Sequence, residues 1–134
     1  MGIGIILDVL KNIFQKRKMD TSYVYEKEML GNSIAFDSEK ILSRQASGSE
    51  KIILWDKMTS IKIITTNQGP YKNDVFWVIE SKNDRIVFSM GTEGEEAFLS
   101  KAQKLEGFNN KVFIDAMSCA DNNEFYCWQK LDLI

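Results

Sequence analysis

The chain has 134 residues, 44% hydrophobic and 27% charged, with a formal net charge of −2, a balance that excludes disordered and fibrous classes and predicts one domain with a packed core. The first 18 residues carry net +3 and the remainder −5, so the body is mildly acidic, which argues against a broad nucleic-acid footprint and fits a basic partner. Histidine is absent, which removes the commonest general base, the commonest transition-metal ligand and the usual partner of a Ser or Cys nucleophile.

Residues 2–18 predict an amphipathic helix. Ile3, Ile6, Leu7, Leu10, Ile13 and Phe14 recur at helical spacing, while Asp8, Lys11, Asn12, Gln15 and Lys16 fall on the other side. The apolar run is far too short to cross a bilayer, and its basic residues follow the apolar stretch rather than precede it, unlike a secretory signal. The expected location is therefore the cytoplasm. Two uses of the helix stay open. It docks on the domain, or it lies at the inner face of a membrane with Ile3, Ile6, Leu10 and Phe14 in the apolar layer and Lys16, Arg17 and Lys18 on anionic headgroups.

From residue 23 to residue 89 the pattern becomes one of strands, over 23–29, 33–36, 40–45, 51–55, 60–66, 75–80 and 85–89. Turn signals at Gly31-Asn32, Asp37-Ser38, Gly48-Ser49 and Asn83-Asp84 separate them. Connections of hairpin length make the strands antiparallel, and the expected result is a curved antiparallel sheet or partly open barrel of about six or seven strands. The stretch 67–74 holds the chain's one proline, Pro70, and leads into Val75-Phe76-Trp77-Val78-Ile79. It reads as a specified loop before a core strand, with Trp77 packed in or against the sheet.

After Gly91 the period turns helical. A helix enters over Thr92-Glu93-Gly94-Glu95-Glu96 and continues through Ala97, Phe98, Lys101, Ala102 and Leu105 to a stop at Gly107. A second helix is expected over 109–118 with Val112, Phe113, Ala116 and Met117 inward, and a last strand over 124–128. The fold class is α+β. Cys119 and Cys127 suit neither a CxxC redox pair nor a zinc ribbon, and read as unpaired thiols of a reducing compartment.

Ile52-Ile53-Leu54-Trp55-Asp56, Ile61-Lys62-Ile63-Ile64, Asp74-Val75-Phe76-Trp77-Val78 and Ile86-Val87-Phe88, followed by helices, resemble bacterial pleckstrin-homology-like (PH-like) proteins. Gly69-Pro70-Tyr71 with Phe76-Trp77, joined to Leu105-Glu106-Gly107-Phe108-Asn109-Asn110 and Ala116-Met117, is similar to a set of small uncharacterised bacterial members. The resemblance covers about residues 33–128. It implies a PH-like α+β domain over 19–134, preceded by the amphipathic helix of 1–18. It implies no catalytic role, and the loop that holds phosphoinositides in such domains here offers only Ser38, Glu39 and Lys40.

No catalytic residue, cofactor site or metal site is predicted. Asp121-Asn122-Asn123-Glu124 lacks the calcium-loop pattern, and Gly91-Thr92-Glu93-Gly94 lacks the Lys-Ser or Lys-Thr of a phosphate loop. The expected function is a non-enzymatic protein-binding module, an immunity or antitoxin-like protein that occludes a basic toxin. Tyr71, Asp74, Glu93, Glu95, Glu96, Asp121 and Glu124 are the candidate partner-binding residues. The alternative is a peripheral membrane or scaffold module anchored by residues 1–18.

Overall fold

A computed structural model describes residues 30–67 and 75–131. The predicted helix over 2–18, the predicted strand over 23–29 and the loop that carries Tyr71 and Asp74 lie outside these residues. The described elements run β1 (Gly31–Phe36), β2 (Lys40–Gln45), β3 (Glu50–Leu54), a 3₁₀ turn (Trp55–Lys57), β4 (Met58–Thr65), β5 (Val75–Ser81), β6 (Arg85–Ser89), α1 (Glu95–Gln103), α2 (Asn110–Met117) and β7 (Asn123–Gln129).

These strands do not form one curved sheet or a barrel. They form two antiparallel sheets, one of three strands in the order β1-β2-β3 and one of four in the order β6-β5-β4-β7. The division falls at the 3₁₀ turn. The Trp55 ring lies edge-on to Phe36 and stacked on Phe98, and its Nε1 donates to the Asp37 carbonyl at 2.8 Å. The anchored turn sends the chain into a second sheet instead of closing a hairpin. Both β1 and β3 lie against β6, while α1 packs on β1 and α2 packs on β7 and β4.

The period of two in the sequence sets the core. Ile61 and Ile63 on β4 stand opposite Ile79 and Trp77 on β5, which in turn oppose Ile86 and Phe88 on β6. All six are fully buried. Ile34, Ile41 and Ile53 from the smaller sheet and Phe98, Ala102 and Ala116 from the helices join them in one cluster. Trp77 sits at its middle, in ring contact with Phe88, Phe98 and Phe113. Fully burying a large apolar side chain stabilises by roughly 1.5–3 kcal/mol, so this aromatic group contributes a large share of the fold's stability. On β7 the pairing slips between Ile61 and Lys62, so that Cys127 is extra to the ladder. Such a bulge lets consecutive residues share a face, and both Cys127 and Trp128 pack on the core.

The helices begin where the sequence predicts and end sooner. Asn109 caps α2, its side-chain oxygen accepting from the Val112 N–H at 3.1 Å. Leu105 lies beyond the end of α1, in the turn that leads to Gly107, yet it still packs on the core. Met117 does not point inward; it is 40% exposed, as Ile114 is at 62%. No helix among the described residues is long and apolar enough to cross a membrane.

Candidate functional site

The register of the four-stranded sheet brings several predicted residues to one end. Thr65 pairs with Val75 on one side and with Asn123 on the other, so the end of β4, the start of β5 and the start of β7 lie side by side. The Met90 N–H donates to the Val75 carbonyl at 2.9 Å, which adds the end of β6 and the approach to α1. Glu93, Glu95, Glu96, Asp121 and Glu124 all belong to this end.

Their surroundings differ. Glu95 is committed to the fold: Oε2 accepts from Trp77 Nε1 at 2.7 Å and Oε1 from the Gly91 N–H at 2.8 Å. This carboxylate links the core tryptophan to the turn before α1. Glu124 stands 3.8 Å from Lys62 Nζ. Glu93, Glu96 and Asp121 are exposed and form no ion pair among the described residues.

The backbone beneath those carboxylates is fixed. The Glu93 carbonyl accepts from the Ile34 N–H at 2.9 Å. The Asp121 carbonyl accepts from Thr65 Oγ1 at 2.6 Å, and Asn122 Oδ1 accepts from the Asn67 N–H at 3.1 Å. Gly94 follows Glu93 with φ of 93°, and any Cβ there would run into the Ile34 carbonyl. Charges on a backbone held in this way lose little freedom on binding.

The opposite end of the sheet has the opposite character. A cleft of about 410 Å³ is lined by Ile52, Ile53, Leu54, Lys57, Ser81, Lys82 and Asn83. Ile52 and Leu54 are 46% and 42% exposed, and Lys57 and Lys82 form no ion pair among the described residues. The sequence carries a sign of this surface. Ile52-Ile53-Leu54 is an unbroken apolar run, and in a short strand on one side of a core alternate residues face outward.

Lys62 has no place among the predicted site residues. Its side chain is 10% exposed, with Glu80 and Glu124 each 3.8 Å from Nζ and the Tyr126 ring centroid 5.3 Å away. Ser60 Oγ donates to Glu80 Oε1 at 2.8 Å. Burial of the Tyr126 ring pushes its hydroxyl pKa upward, with the Lys62 charge pulling the other way. The signal for Lys62 is its position between Ile61 and Ile63, which places it on the face opposite theirs.

Among the described residues no group of three or more His, Cys, Asp or Glu stands close enough to hold a metal ion. Both cysteines are free thiols, and burial pushes the Cys127 thiol up to about 11, away from the range of an activated nucleophile. Comparison of the chain with protein-family models, curated proteins and solved structures finds no match.

Proposed function

We propose that this chain is a non-enzymatic, PH-like protein-binding module of the cytoplasm, of the immunity or antitoxin kind, which occludes a basic protein through the acidic end of its four-stranded sheet. The observation that carries the reading is the presentation of Glu93, Glu96 and Asp121 as exposed carboxylates that form no ion pair among the described residues, on a backbone fixed by hydrogen bonds. Charges of one sign on a rigid edge speed the encounter with a partner of opposite sign and exclude like-charged competitors. Glu95 and Glu124 serve behind this front, one holding Trp77 and the turn, the other paired with Lys62. The antiparallel α+β class is compatible with the PH-like resemblance without singling it out, and the two free thiols suit a reducing compartment.

The test is affinity capture with the full chain from its source cells, followed by binding kinetics with the captured protein. A basic partner is expected, bound less tightly as salt rises. Glu93→Lys/Glu96→Lys/Asp121→Lys should slow association by at least about tenfold at low salt while leaving the circular dichroism spectrum unchanged. A partner that the triple variant binds with unchanged kinetics would sink the proposal.

A further inference from the structure

The outer face of the four-stranded sheet carries a covered apolar patch beside Lys62. Ile64, Phe76, Val78 and Val87 are exposed by 5% or less, although they point away from the core shared by the two sheets and the helices. Among the described residues the hydrophobic side chain packed against them is Leu30. A bare sheet face leaves such side chains open to water, and one leucine does not cover four residues spread over three strands. Leu30 is also where the chain enters the described fold, with residues 1–29 before it.

We infer that the N-terminal segment of this chain is the cover: residues 2–18 lie across the outer face as an amphipathic helix, with Ile6, Leu10 and Phe14 on Ile64, Phe76, Val78 and Val87. The dimensions agree. A helix over 2–18 is about 25 Å long, and β4, with 8 residues, runs for about 26 Å. The connection from 19 to 29 reaches up to about 36 Å when extended, enough to lead back from Leu30 to either end of the sheet. The charges agree as well. The first 18 residues carry net +3, and the face they meet is bordered by Glu80 and Glu124 beside Lys62. The inference stands apart from the acidic end and its partner, since it concerns a different face of the sheet.

The experiment uses the full chain in the absence of lipid. A nitroxide placed at Asn12→Cys in a Cys119→Ser background sits on the helix's polar side, while Cys127 is buried and escapes labelling. The methyl signals of Ile64, Val78 and Val87 should be lost through paramagnetic broadening, and those of Ile41 and Ile53 on the smaller sheet largely kept. Leu10→Asp/Phe14→Asp should restore the lost signals. Unbroadened signals in the parent chain overturn the inference, whether or not the chain then sediments with phosphatidylcholine–phosphatidylserine vesicles, an outcome that would assign the segment to a membrane. Broadening seen only between labelled and unlabelled copies in a mixture overturns it too, since the cover is then a second copy.

Discussion

At the scale of single residues, two carboxylates do work that their exposure or position alone would not reveal. Asp37 Oδ1 accepts from the N–H groups of Glu39 and Lys40 at 2.8 and 2.9 Å, and Oδ2 from Lys40 Nζ at 2.9 Å. The Lys40 ammonium, and after it the two backbone donors, hold the Asp37 carboxyl down at about 2 against an ordinary 3.8. A group whose pKa is depressed on folding binds protons more readily in the unfolded chain, so stability is lost as pH falls through that window. Thermal melts between pH 5 and pH 2 should therefore show a steeper fall for the parent chain than for Asp37→Asn; parallel curves would show that the turn adds no pH dependence. Glu95 gives a second prediction. Glu95→Ala leaves the Trp77 N–H without an acceptor inside the core and should cost about 1–3 kcal/mol in urea unfolding. Glu95→Gln keeps an oxygen on the same stem and should cost less.

At the scale of elements, the approach to α1 shows how local geometry holds the sheets to the helix. Glu93 forms a parallel bridge with Ser33, Gly94 turns the chain with a positive φ directly against the Ile34 carbonyl, and Phe98 one turn later enters the aromatic core. Gly94→Ala combines a left-handed backbone with a steric overlap that only movement of β1 relieves. It should destabilise by at least about 2 kcal/mol, read as a lower urea midpoint with an unchanged slope. Gly91→Ala has the same sign of φ but open space around its Cβ, so its cost should be only the backbone part, about 1 kcal/mol. Equal losses at the two positions would show that contact with Ile34 is not the reason for glycine at 94.

At the scale of the whole molecule, the sequence was legible where local and global preferences agree. The strands at 40–45 and 85–89 stand where alternation and turn dipeptides place them, and α2 starts at the asparagine whose side chain caps it. The division into two sheets was not legible. The three residues between β3 and β4 look like a hairpin connection, and only the distant packing of Trp55 on Phe36 and Phe98 turns them away from one. Of the candidate site, the acidic residues themselves were legible, but neither their gathering at one sheet end nor the engagement of Glu95 and Glu124 was. Their partners, Trp77 and Lys62, lie 18 and 62 positions away in the chain, and no local pattern records such pairings. The burial of Lys62 between two glutamates was hidden for the same reason.

One pairing has a consequence for how the molecule comes into being. β4 lies inside its sheet only because β7, the last strand described, takes its second edge, from Ser60 opposite Gln129 to Thr65 opposite Asn123. The hairpins of β1, β2 and β3 close over short loops, and so does that of β5 and β6, but the β4 edge waits for a strand about 60 residues further on, and contacts so distant form slowly. During synthesis the edge of β4 stays open until residues 123–129 have emerged. The rate at which β7 arrives and docks therefore sets how long a nascent chain offers an unpaired edge to its neighbours.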